Sequence, residues 1–218
     1  MTIHSLSIGY NDTAPVAQIT DAVLHCGKFI CLLGRNGSGK STLLKTLAGL
    51  LPPLSGEIEG GEKISLVLTQ LPQLENTTVR ELVATGRLPY SGLFGQLHEA
   101  DWQAVDRAIQ LVGLQSFSDR LTSTLSDGER QRVMIARAVA QDTPVMLLDE
   151  PSAFLDYPSK RELMDLLRHL AHEEGKAILL STHDVEQAIA TADLIWCMHD
   201  GTLDILPPSP EIIQTYFG

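Results

Sequence analysis

An α/β fold with a mostly parallel sheet is predicted, with a strand-rich N-terminal lobe and a helical insert, and three observations predict it. The runs "FICLL", "VMLLDE", "AILLSTH" and "LIWCM" are apolar almost throughout rather than alternating, as strands covered on both faces are. Helical stretches separate the later runs, which is the connection parallel strands need. From about Val79 to Ala140 the spacing of apolar residues turns helical, so an all-helical segment interrupts the strands.

Taken in order, "HSLSIGY" reads as a first strand ending at Tyr10, and "KFICLLG" and "KISLVL" as further strands of the same N-terminal lobe, punctuated by Gly, Pro and Asn. The segment "STLLKTLAGLL" is a helical run directly after a glycine-rich loop. In the insert, "EADWQAVDRAIQLVGL" places Trp102, Val105, Ile109 and Val112 on one helix face and charges on the other. Ser126 and Glu129 have the S-x-x-E spacing of a capping box, so a helix is predicted to begin at "LSDGE". After the buried strand "VMLLDE", "SKRELMDLLRHLAHEEG" is a helix stopped by Gly175; "AILLSTH" is a strand, "DVEQAIATA" a helix and "LIWCM" a strand. His169 and His172, with Glu173, fall a turn apart and are read as a solvated face rather than metal ligands. "LPPSP" is a turn, with Ser209 and Pro210 opening a terminal helix. One domain over residues 1–218 is expected, residues 1–78 and 141–218 forming a core with a β subdomain and 79–140 a helical subdomain.

Composition narrows the function. At 218 residues the chain can bury one substantial core. A net charge of -11 and a pI near 5.0, with no offsetting Lys/Arg stretch, argue against nucleic acid as a partner. The N-terminus lacks a signal-peptide layout, and no apolar run approaches the roughly 20 residues that span a bilayer. A cytosolic chain is expected, with any membrane contact made through a partner. Cys26, Cys31 and Cys197 fit neither zinc spacing nor a disulfide framework and are read as reduced packing residues.

The chemistry starts at "GRNGSGKS", Gly34 to Ser41, which matches G-x-x-x-x-G-K-[ST] between a strand and a helix. Gly34, Gly37 and Gly39 let the backbone turn N–H groups onto phosphates, with Asn36 and Ser38 in the same loop and Thr42 just after it. Lys40 supplies a point charge to the β- and γ-phosphates, and the Ser41 hydroxyl can ligate Mg²⁺. At the end of a buried strand, Asp149 and Glu150 sit where a carboxylate is costly without a task. Asp149 would steady Mg²⁺ and its waters, and Glu150 would accept a proton from an attacking water.

With "TQLPQ" around Gln70, "LSDGE", "SAFLD" ending at Asp156, and "STHD" with His183, the chain resembles the ATP-binding cassette ATPases over nearly all its length. That resemblance implies a P-loop NTPase core of RecA-like type with an N-terminal antiparallel β subdomain. It also implies two cassettes closing head to tail on two ATPs. By position, Gln70 then senses Mg²⁺ and the attacking water, and Ser126 and Gly128 meet the γ-phosphate of the other subunit. Asp156 lies at the dimer seam, His183 contacts the γ-phosphate, and Tyr10 stacks on adenine. The family usually has Gly where this chain has Asp127. Repulsion from phosphate leads us to expect the Asp127 carboxylate turned outward, to water or a basic neighbour.

The short spacing from Lys40 to Leu125 leaves no room for a long coiled coil, and no transmembrane helices are fused to the cassette. Those facts favour an importer subunit. "GRLPYSGLFGQLHEAD", Gly86 to Asp101, looks like the ATPases of bacterial uptake systems for iron chelates, haem and vitamin B12. The resemblance therefore implies polytopic permease partners, a substrate-binding protein beyond them, and a peripheral position on the cytoplasmic side of the inner membrane. The stretch from Gln70 to Phe94, with Leu93 and Phe94 in "SGLFG", is the expected permease contact. A soluble cassette of a non-transport complex and a separate exporter subunit are the alternatives.

Overall fold

The computed structural model describes residues 1–10, 14–61, 63–68, 76–92, 95–153 and 155–218. Five strands run parallel in a six-stranded sheet: β3 (Phe29–Gly34), β5 (Ile64–Val67), β6 (Val145–Asp149), β7 (Ala177–Ser181) and β8 (Leu194–His199). The spatial order is β5-β6-β7-β3-β8-β9, with β9 (Thr202–Leu206) antiparallel at one edge. A separate antiparallel sheet has the order β2-β1-β4, from β1 (Thr2–Ile8), β2 (Ala17–Val23) and β4 (Ser55–Glu59). The predicted strand "KISLVL" thus becomes β5, at the edge of the parallel sheet, and "KFICLLG" becomes β3 in its interior, not part of the N-terminal lobe.

The period of two along each central strand divides the interior. Phe29, Cys31 and Leu33 of β3, with Met146, Leu148, Ile178 and Leu180, face α5 (Tyr157–His172) and the helical segment. Ile30 and Leu32, with Val145, Leu147, Ala177 and Leu179, face α1 (Lys40–Leu47) and the antiparallel sheet. Because both faces are covered, these strands carry no polar alternation, and each buried Leu or Ile contributes about 1.5–3 kcal/mol.

In β1, Ile3 and Leu6 are both buried although they lie three residues apart, because the β1–β4 register shifts between His4 and Ser7. Ser5 takes a positive φ of 44° at that bulge. Gly56 stands opposite: a Cβ there would come within 2.4 Å of the Ser5 carbonyl oxygen.

The insert consists of α2 (Val79–Ala84), a 3-10 turn over Thr85–Tyr90, α3 (Glu99–Leu111), two short 3-10 turns and α4 (Asp127–Ala140). Val105, Ile109 and Val112 are buried as the helical spacing predicts, while Trp102 is partly buried with the Arg80 guanidinium 4.5 Å over its ring. Gly86 lets the 3-10 turn rest on α4, since a Cβ there would meet the Arg137 carbonyl oxygen at 2.3 Å. The helix α6 (Val185–Thr191) follows β7, and the chain ends in a helical turn that Ser209 caps by accepting the Glu211 N–H at 3.3 Å.

Two sequence readings need correction. Cys31 and Cys197 are buried and burial raises their thiol pKa values, but Cys26 is exposed rather than part of the core. His172, though exposed, is not simply solvated: its Nε2 lies 2.9 Å from Asp193, which also accepts the Phe29 N–H at 2.8 Å and so ties the end of α5 to the start of β3.

Candidate nucleotide site

The loop between β3 and α1 turns on two glycines with positive φ, Gly37 at 82° and Gly39 at 101°. Gly39 caps α1 and is packed closely as well; a Cβ would lie 2.7 Å from Val16 Cγ1. Lys40 opens the helix with its side chain drawn back into the loop, where it is only 6% exposed. Its Nζ donates to the Gly34 oxygen at 2.8 Å and the Arg35 oxygen at 3.2 Å. Burial lowers its pKa, opposed by the nearby carboxylates of Glu150 and Asp149. Two neutral carbonyls do not discharge a buried ammonium, so the loop favours an anion. Ser38 Oγ is buried without a hydrogen-bond partner among the described residues. Asn36 and Ser41 are exposed and Thr42 is buried on α1.

Asp149 ends β6 and is buried, 7% exposed. Its Oδ1 accepts the Ser181 hydroxyl at 2.7 Å. Glu150 follows with φ of 45°, a left-handed conformation that costs an ordinary residue on the order of 1–3 kcal/mol and gathers at functional sites. Glu150 N–H is held by Ser181 Oγ at 2.9 Å and by the Ser181 carbonyl at 3.2 Å. The Glu150 carboxylate reaches outward, with Oε2 3.7 Å from His183 Nδ1. Adjacent strand ends therefore bring together the predicted metal carboxylate, base and histidine, because β6 and β7 are paired with Asp149 opposite Ser181.

Ser126 caps α4, and the predicted capping box is present. Glu129 N–H donates to Ser126 Oγ at 3.3 Å, while Ser126 N–H donates to Glu129 Oε2 at 2.7 Å. Asp127 turns outward, with Oδ1 3.4 Å from Arg130. Ser126 and Gly128 line a cavity of about 230 Å³ against Leu155 and Ser159, whereas Asn36, Gly37 and Ser38 line a different one of about 510 Å³ beside the β8–β9 turn. Asp156 caps α5 by accepting the Ser159 N–H at 3.0 Å. Tyr10 stands half-exposed just beyond β1, and Gln70 lies outside the described residues, as do Leu93 and Phe94.

Known proteins place the chain. The ABC transporter family model matches residues 18–153, more than half of it. This chain belongs to the ABC transporter family. The achromobactin transport ATP-binding protein of Dickeya dadantii is 40% identical over 227 residues, covering 98% of this chain and 84% of that protein. The ferric enterobactin transport ATP-binding protein of Escherichia coli is 34% identical over 221 residues, covering 95% and 81%. A solved inward-facing metal-chelate type ABC transporter matches with a TM-score of 0.90 at 28% identity, over 99% of this chain and 88% of that one.

As an ABC ATPase the chain binds and hydrolyses ATP. Two residues at its site escaped the sequence reading. Arg130 answers the charge of Asp127, and its i+3 spacing was a signal open to local reading. Ser181 had no local signal: its importance comes from lying across from Asp149 on the neighbouring strand. Among the described residues no helix is long and apolar enough to cross a membrane.

Proposed function

We propose that this ABC-family chain is the ATPase subunit of a bacterial importer for metal chelates of the iron-siderophore, haem or cobalamin type. Two copies close on ATP head to tail, docked on polytopic permease subunits at the cytoplasmic face of the membrane, with a substrate-binding protein supplying the cargo. One observation supports the two-copy reading: within one copy the phosphate loop and the Ser126–Gly128 helix start line separate cavities. The Dickeya relative serves achromobactin transport and the Escherichia relative ferric enterobactin transport, which supports the cargo class.

In this reading the loop N–H groups, Ser38 and Lys40 hold the triphosphate, and Tyr10 stacks on the base. Lys40 exchanges its two carbonyl partners for phosphate oxygens, which gives the buried ammonium directly bonded anionic partners. Ser41, Asp149 and Gln70 would hold Mg²⁺, which neutralises phosphate charge when bound. Among the described residues no group of three or more His, Cys, Asp or Glu gathers as a metal cage. That suits Mg²⁺, which is commonly held by one or two carboxylates plus phosphates. Glu150, its backbone pinned and its carboxylate partly exposed, accepts the proton of the attacking water. His183, beside that carboxylate, orients it and the γ-phosphate. Ser126 and Gly128 of the opposite copy complete the site.

The test is assembly and uptake. Leu93→Glu and Phe94→Glu should leave ATP binding by the isolated subunit intact while reducing co-purification with the permease and uptake of the iron chelate. An ATPase that never assembles with a permease would overturn the importer reading in favour of a soluble cassette, and outward transport would favour an exporter.

A further inference from the structure

We infer that Ser181 is a positioning residue for ATP hydrolysis, its hydroxyl locking the carboxylate of Asp149 and the backbone of Glu150 into one rigid unit. The inference rests on the reading above, in which Asp149 serves the metal and Glu150 the attacking water.

Ser181 is the last residue of β7 and is fully buried. It pairs in register with Asp149 at the end of β6, so its side chain and the carboxylate leave the sheet at the same level. The hydroxyl has one proton and donates it to Asp149 Oδ1 at 2.7 Å, the length of a charge-assisted bond. With that proton committed, the lone pairs of Oγ are left for the Glu150 N–H, which donates to it at 2.9 Å. The carbonyl of the same serine takes a second share of that N–H at 3.2 Å. One residue thereby fixes the rotation of one carboxylate and the peptide plane that launches the other.

The second tie answers a need of the backbone. Glu150 has φ of 45° and precedes Pro151, whose ring restricts the residue before it. A residue held in that conformation without an outside partner would relax and carry its carboxylate away from His183, now 3.7 Å distant. Alanine in place of Ser181 keeps the fold of a buried strand, because it removes one oxygen and adds nothing. It removes the hydroxyl that Asp149 Oδ1 accepts and leaves Glu150 N–H with only the longer carbonyl contact.

The experiment compares Ser181→Ala, Ser181→Thr and, as a control, Asp149→Asn. It measures ATP binding in EDTA, Mn²⁺ affinity of the nucleotide complex, and steady-state hydrolysis. Removing a partner that orients a metal carboxylate commonly costs about 10- to 100-fold in metal affinity or activity. Ser181→Ala should therefore lower kcat and Mn²⁺ affinity by at least about 10-fold while KM and metal-free ATP binding stay within about twofold. Ser181→Thr keeps the hydroxyl and should recover both to within about threefold. Wild-type kcat and Mn²⁺ affinity in Ser181→Ala would overturn the inference. So would a Thr variant as impaired as Ala, or a loss of metal-free ATP binding in step with Mn²⁺ affinity, because the role would then be structural. If Asp149→Asn itself leaves Mn²⁺ affinity intact, the assignment of Asp149 fails instead, and the two failures are told apart.

Discussion

Asp127 Oδ1 lies 3.4 Å from the Arg130 guanidinium, three residues along the same helix, with the carboxylate side chain 66% exposed. Arg130 also donates to the Leu125 oxygen at 3.1 Å, so its position is set by the helix start rather than by Asp127 alone. An exposed pair of this kind is worth only about 0.3–0.5 kcal/mol. A carboxylate about 6 Å from a phosphate charge would cost roughly 3 kcal/mol at an effective dielectric near 20, so an inward Asp127 would lose. Asp127→Gly should change ATPase turnover by less than about threefold, under about 1 kcal/mol. A large loss in steady-state assays would mean that the carboxylate has a positive task.

Gly128 makes the opposite case. A Cβ there would meet Ser159 Oγ at 3.6 Å and Leu155 Cδ2 at 3.8 Å, ordinary contacts that the chain itself tolerates. On the proposed two-copy reading, intolerance comes from the neighbouring copy's nucleotide. Gly128→Asp should keep nucleotide in its own phosphate loop yet abolish ATP-driven dimerisation, scored by sizing in a Glu150→Gln background. A dimer of normal size would refute the trans contact.

Lys40 and Glu150 should fail differently. Lys40→Ala removes the buried ammonium and should weaken nucleotide binding itself. Glu150→Gln should bind normally and lose turnover by about 10²- to 10⁴-fold, the scale of a general base. The Gln variant should then accumulate as an ATP-bound dimer, and a monomer with and without MgATP would contradict the assignment.

The capping box sets a pH dependence. The Ser126 N–H, with help from its hydroxyl, holds the Glu129 carboxyl below its ordinary pKa of 4.5, against a smaller opposing effect of burial. A carboxylate with a depressed folded pKa contributes stability above the unfolded value, and that contribution is lost as pH falls through the folded one. Thermal melts of the wild type and Glu129→Ala should therefore differ most near about pH 7 and converge only as pH falls from about 4.5 through the lower folded pKa. A gap that widens in acid would contradict the box.

Gly86→Ala tests the insert. The added methyl would drive into the Arg137 carbonyl at 2.3 Å, displacing the 3-10 turn from α4 and stretching the 2.8 Å bond from Arg137 Nε to Thr85 Oγ1. Overpacking of this kind costs typically about 1–3 kcal/mol, visible as a lowered melting temperature. An unchanged melt would mean that the two elements part freely.

Local sequence already specified the elements whose reasons are local. The phosphate loop was legible because its glycines and Lys40 are contiguous, and the start of α4 because Ser126 and Glu129 are one turn apart. Strands β3, β6, β7 and β8 were legible because burial on both faces leaves an apolar run. By contrast "AQITDAV" and "SGEIE" did not read as strands: β2 and β4 are partly exposed, β4 contains Gly56, and each is held by its pairing with β1. "TLDIL" is likewise a strand only beside β8.

Only the tertiary structure decided which strand ends meet. Asp149 and Ser181 stand 32 residues apart in the chain and 2.7 Å apart in space, and nothing in either segment states that β6 pairs with β7 in that register. Residue types pointed to a chain that binds the phosphates of ATP, and to the proposed metal and activated water. The order β5-β6-β7-β3-β8 determined that one buried hydroxyl would join the Asp149 carboxylate to the Glu150 backbone N–H, because hydrogen bonds between parallel strands fix side chains that no local periodicity brings together.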